Sequence, residues 1–168
     1  MYNVNAEIIP LEDDFSIDAE KYVDCGRMVV IANPNAPTGK VLSKEKIEKI
    51  ITSNPDNVVL IDEAYVDFGG ESVTDLVKKY DNLLVVQTFS KSRSMAGARL
   101  GFAFANEEII KDLEKIKYST NPYNINRLTQ IAGAAALAED SYYMDNCQKI
   151  IKARAWTKSQ LEQLGFFV

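Results

Sequence analysis

LLVVQTFSKSRSMAGARLGFA, residues 83–103, decides how the rest of the chain is read. Leu83 to Gln87 is a short apolar run of strand length, and small and polar residues follow it at once. In an open α/β sheet the loops after the strands form the ligand-binding edge. Here that loop carries one amine, Lys91, between Ser90 and Ser92, with Arg99 eight positions later. Thr88 and Ser90 offer hydroxyl groups, and Arg99 offers a planar fork suited to phosphate. Ala96, Gly97, Ala98 and Gly101 allow backbone to approach a ligand closely. The plainer reading is a solvated basic loop, since Arg93 lies in it too.

Two upstream stretches have the same form. Met28-Val29-Val30-Ile31-Ala32 reads as a buried strand, followed by Asn33-Pro34-Asn35-Ala36-Pro37-Thr38-Gly39, a turn stiffened by two prolines. Val58-Val59-Leu60-Ile61 reads as a second buried strand, followed by Asp62-Glu63-Ala64-Tyr65. Taken alone, the first loop is equally a bare turn, and the second a cap with a packing tyrosine. Ser43 is placed to cap a helix over residues 44–53, with Ile47, Ile50 and Ile51 on one face. Residues 72–80 read as a short helix and Leu100 to Ala105 as a fourth strand. Apolar runs alternating with amphipathic helices predict an α/β fold with a mainly parallel sheet flanked by helices.

The last third reads as helices over 107–117, 125–139 and 141–164, with Asn106 and Asp140 as caps and Gly165 as the stop. Asn121-Pro122-Tyr123-Asn124 reads as a turn, with a pocket wall as the alternative. Ile8-Ile9-Pro10-Leu11 reads as a strand entering from something upstream. Together with the apolar end Phe166-Phe167-Val168, it gives the expectation of a piece of a larger protein. Docking surfaces left open would then make the chain prone to oligomerise.

Composition limits the chemistry. The 168 residues suffice for one domain with a core, and a net charge of −5 argues against nucleic acid or an anionic membrane as partner. No run has the length of a transmembrane helix and the start does not resemble a signal peptide, so a cytoplasmic protein is expected. Cys25 and Cys147 lie far apart with no motif around them and read as reduced thiols. There is no histidine, which removes serine or cysteine triads and the usual zinc sites. The absence of GxGxxG and GxxxxGK[ST] counts against a plain nucleotide-binding domain.

NPNAPTG, DEAY, and SK with arginine eight residues later and AGARLGF after the lysine resemble, in order and spacing, the fold-type I aminotransferases that use pyridoxal phosphate. Within that family the resemblance is nearest the branch acting on histidinol phosphate. It runs from PLEDDFSID to the helix ending in LEQLGF. The resemblance implies that Lys91 carries the cofactor as a covalent imine and then moves the substrate proton. It implies that Asp62 pairs with the pyridine nitrogen, and that Tyr65 hydrogen-bonds the phenolic oxygen. Thr88, Ser90 and Arg99 would hold the phosphate. Family members place asparagine directly before PTG; here that position is Ala36, and the role is not transferred to Asn35.

The resemblance further implies a homodimer acting on a small amino donor and a 2-oxo acid, histidinol phosphate with 2-oxoglutarate/glutamate. Another amino-acid aminotransferase or a threonine-phosphate decarboxylase shares the scaffold. Residues 1–168 would be a partial large domain, without the family's N-terminal segment and C-terminal small domain. A catalytically inert fragment is the alternative for the chain as it stands, because transamination needs the reacting groups fixed in a closed site.

Overall fold

The computed structural model describes residues 4–168. Four strands form one sheet in the order β1 (Val29–Ala32), β2 (Val59–Asp62), β3 (Leu83–Thr88), β4 (Gly101–Phe104). β1, β2 and β3 are parallel, in a register that aligns Val29, Val59 and Leu83. β4 returns antiparallel, with Thr88 opposite Gly101. The expected mainly parallel sheet is present, with β4 as its antiparallel edge beside β3.

Alternation along the strands sorts side chains by face. Val29, Ile31, Val59, Ile61, Leu83 and Val85 share one face and join the core. Helix α1 (Lys44–Ser53) covers them with Ile47, Ile50 and Ile51, all fully buried. Ser43 caps α1 as its sequence predicts, accepting a hydrogen bond from the Lys46 amide. Each fully buried isoleucine contributes about 1.5–3 kcal/mol of apolar burial. Val30, Leu60 and Leu84 lie on the opposite face, and Val30 stays 61% exposed there. β1 is thus buried on one face only. Asp62 and Thr88 have the parity of this second face, away from the α1 core.

Three helices follow: α2 (Glu107–Thr120), α3 (Arg127–Ala138) and α4 (Asp140–Gln163). Asn106 caps α2 through the Ile109 amide. α4 ends at Gly165, φ +87°, where the Phe166 amide reaches back to Leu161 and the Gly165 amide to Glu162. That is the paired closure a C-terminal glycine permits. Asn121 to Asn124 form a turn, and Asn126 caps α3.

Three expectations are corrected. Asp140 is the first residue of α4 and makes no cap hydrogen bond, because its carboxylate is taken by Arg93. Residues 8–11 form no strand, and Ile8 is exposed. The helix expected over 72–80 is a 3-10 turn, Thr74–Lys78. Both cysteines are free, Cys147 buried and Cys25 partly so. No helix among the described residues is long and apolar enough to cross a membrane.

Candidate active site

The loops after β1, β2 and β3 meet at one edge of the sheet, where parallel strands end together. Asn33 anchors the first loop. It is 1% exposed, its side-chain amide donates to the Leu42 carbonyl at 3.1 Å, and its oxygen accepts from the Leu42 amide at 2.8 Å. Within the loop, Asn35 donates its side-chain amide to Thr38 Oγ1 at 2.7 Å. Asn35 is therefore committed to the turn and does not substitute for the side chain missing at Ala36. A cavity of about 330 Å³ opens beside this loop, bordered by Ala36, Pro37, Tyr65, Phe68 and Arg154.

Asp62 closes β2, half-buried, and its carboxylate accepts from the Ala64 amide at 2.9 Å. It makes no ion pair among the described residues. Glu63, its neighbour in sequence, points the other way and is buried. It accepts from the Val73 amide, Ser72 Oγ and Gln87 Nε2, each at 2.7 Å. Of the two adjacent carboxylates, one thus ties three segments together and the other is left toward the sheet edge. Tyr65 follows one turn on and leads into the 3-10 turn Val66–Phe68.

β3 ends at Thr88. Its hydroxyl donates to Ser90 Oγ at 2.9 Å and accepts from the Ser90 amide at 3.1 Å. Lys91 is exposed, with its ammonium 4.9 Å from the centre of the Tyr65 ring. Among the described residues it joins no salt bridge and no side-chain hydrogen bond. Arg99 takes a left-handed backbone conformation, φ +52°, and turns its guanidinium onto the Ala96 carbonyl at 3.0 Å. Its neighbour Leu100 accepts from the Phe89 amide at 3.1 Å and from Thr88 Oγ1 at 3.3 Å, so the Arg99 backbone lies beside Thr88 and Ser90.

The structure therefore gathers Asp62, Tyr65, Thr88, Ser90, Lys91 and Arg99 at one edge, although the Arg99 side chain faces its own loop. Sequence reading missed Asn33 and Glu63 as the anchors of these loops, and it mentioned Arg93 only in the alternative of a solvated basic loop, whereas its side chain is 12% exposed. Asn33 had a weak signal, a polar residue directly after a strand and before proline. Arg93 had none.

The donor set fits pyridoxal phosphate chemically. The unpaired amine suits an aldehyde, the free carboxylate a protonated ring nitrogen, and two hydroxyls with a guanidinium a phosphate. Among the described residues no acidic, cysteine or histidine cluster could hold a metal ion.

Comparison with known proteins agrees. Residues 2–168 match the family model for class I and II aminotransferases. A histidinol-phosphate aminotransferase of Brachyspira hyodysenteriae is 54% identical over all of this chain and 48% of its own length. The crystal structure of the histidinol-phosphate aminotransferase from Clostridium acetobutylicum superposes with a TM-score of 0.79 at 30% identity, over 93% of this chain and 48% of that one. That of Sinorhizobium meliloti, solved with pyridoxal-5'-phosphate, gives 0.75 at 25% identity, over 88% and 41%. The chain spans about half the length of the curated relatives it matches. It belongs to the class I and II aminotransferase family.

Proposed function

We propose that this chain is the cofactor-binding core of a pyridoxal-phosphate aminotransferase acting on histidinol phosphate, with 2-oxoglutarate/glutamate as the other pair. The observation that carries the reading is the unpaired Lys91 amine, 4.9 Å from the Tyr65 ring at the edge where Asp62 and Thr88 end their strands. The histidinol-phosphate aminotransferases among the relatives support the substrate.

Bound there, the cofactor supplies an electron sink for a carbanion at the substrate Cα. Lys91 would be the residue that holds it through its amine, and the same amine would be the group that moves the substrate Cα proton. Asp62 keeps the ring nitrogen protonated, since a carboxylate beside it favours the charged form. Tyr65 donates its hydroxyl to the cofactor's phenolic oxygen. Thr88 and Ser90 donate to phosphate, and Arg99 joins them when its side chain leaves the Ala96 carbonyl. With Ala36 where relatives of this type carry asparagine, Tyr65 is the donor left to that oxygen. The chain corresponds to the central part of the family's large domain and works as part of a homodimer.

The test is a titration with pyridoxal phosphate, followed by borohydride reduction and peptide mass mapping. A phosphopyridoxyl group on Lys91 is expected. A group on another lysine, or none, overturns the assignment. Histidinol phosphate should then discharge the loaded protein faster than aromatic amino acids do; the reverse order would move the substrate to the aromatic class.

A further inference from the structure

Arg93 is held in a setting that stability alone does not explain. Its Nη2 donates to Asp140 Oδ1 at 2.5 Å, and its guanidinium carbon lies 5.4 Å from the centre of the Tyr143 ring. Asp140 opens α4, where a carboxylate is also favoured by the helix dipole. The other arm, Nη1, is buried and has no hydrogen-bond partner among the described residues. Arg93 also borders a pocket of about 50 Å³ shared with Glu63, Gln87, Thr88 and Ser92, room for one water. Burying a guanidinium with an N–H unpaired is costly, and an apolar side chain of similar volume would fill the space without that cost.

The backbone beside Arg93 is costly as well. Ser94 has φ +55°, a left-handed conformation that a non-glycine residue keeps only where its surroundings hold it. The Ser94 amide donates to the Lys91 carbonyl at 3.1 Å, and the Met95 amide to the Phe89 carbonyl at 3.0 Å. The turn bearing Lys91 is therefore set by the residues on either side of Arg93.

The far side of the loop is held separately by α3. Thr129 Oγ1 donates to the Ala98 carbonyl at 3.4 Å. Gly133 lets Leu100 approach so closely that a Cβ there would lie 2.4 Å from its Cδ2. The near side has Arg93. Its partner helix, α4, also touches the turn after Tyr65, where Arg154 donates to the Phe68 carbonyl at 3.1 Å. One helix thus grips both the lysine loop and the tyrosine loop.

We propose that Arg93 is a positioning residue: by tying the lysine loop to Asp140 and Tyr143 at the start of α4, it sets the Lys91 amine against Tyr65. The proposal rests on the reading of Lys91 as the cofactor lysine.

Hydrogen–deuterium exchange by mass spectrometry tests the anchor without cofactor. Arg93→Gln and Asp140→Asn should each speed exchange in peptides containing Ser94 and Met95 by about tenfold, and leave β2 and β3 unchanged. Arg93→Lys, which keeps a charge for Asp140, should recover part of the protection. Unchanged exchange in the loop overturns the proposal. So does equal loosening of the loop and the strands, which would make Arg93 a general stabiliser. If Arg93→Gln does not fold, Asp140→Asn reads the same contact from its exposed side. The second readout is the rate at which pyridoxal phosphate becomes borohydride-trappable on Lys91. It should fall about tenfold in Arg93→Gln without a matching fall in thermal stability. Should the unaltered chain take no cofactor on Lys91, the functional reading fails, while loop exchange still decides whether Arg93 is the anchor.

Discussion

The Lys91 ammonium lies 4.9 Å from the centre of the Tyr65 ring, which brings together two loops that leave neighbouring parallel strands. An ammonium near an aromatic face is attracted by the ring's quadrupole, by about 0.5–1 kcal/mol at an exposed site. That is too weak to place the lysine by itself, so the loops on which both residues sit must do it. Lys91→Ala removes the amine without touching those loops. We expect it to abolish covalent attachment of pyridoxal phosphate and leave the melting temperature nearly unchanged. Borohydride trapping and a thermal melt check both halves; an adduct that survives would put the covalent bond on another lysine.

Glu63 is the polar centre of the fold. Glu63→Ala strands the Val73 amide and the Gln87 and Ser72 donors, all at 2.7 Å in the intact chain. Leaving buried partners unpaired should cost about 2–4 kcal/mol. Urea denaturation measures it. Glu63→Gln, which keeps an acceptor for the Val73 amide, should lose less; equal losses would show that the Ser72 and Gln87 contacts to the other oxygen, not the Val73 amide, carry the cost.

Asn33 holds the first loop closed from both ends. Asn33→Ala should cost about 1–3 kcal/mol and loosen residues 34–41. Asn33→Asp keeps the acceptor for the Leu42 amide but turns a buried carboxylate oxygen onto the Leu42 carbonyl, so it should cost at least as much as the alanine. Limited proteolysis within the loop provides the readout.

Glu48 gives a pH dependence of known sign. Lys79 Nζ and Tyr80 OH both donate to its Oε1 at 2.6 Å. The Lys79 ammonium first, and then the Tyr80 hydroxyl, hold its carboxyl below the usual 4.5. A depressed carboxyl stabilises the fold above its unfolded value, and that contribution is lost as pH falls through the folded one. Glu48→Gln should therefore melt lower than the unaltered chain at pH 7, and the gap should narrow below pH 4.5. Melts across an acid series check this; a gap independent of pH would mean that the glutamine disturbs packing instead.

The parts of this molecule that repeat a simple period are legible in its sequence. Ile47, Ile50 and Ile51 announce α1 and Ser43 its start, because spacing and capping are local rules. The strands are legible as apolar runs, and the edge residues by their place just after them. What is not legible depends on contacts between distant segments. Nothing near Asp140 says that its carboxylate serves Arg93 rather than the end of its own helix. The two carboxylates of Asp62-Glu63 look alike in the sequence, and only opposite directions from the strand end give one to the interior and the other to the site. The resemblance to known enzymes points to Asp62, Tyr65 and Lys91, and to neither Arg93 nor Glu63.

The sheet has one more consequence. Among the described residues β1 pairs only with β2, and β4 only with β3. Each outer flank therefore presents a row of backbone donors and acceptors to whatever lies beside it, and Val30 adds an apolar side chain at one of them. Such a flank can template the addition of a strand from another chain. In concentrated solution, growth by edge-to-edge strand addition is then a route open to this chain, one that a strand or loop covering either flank would close.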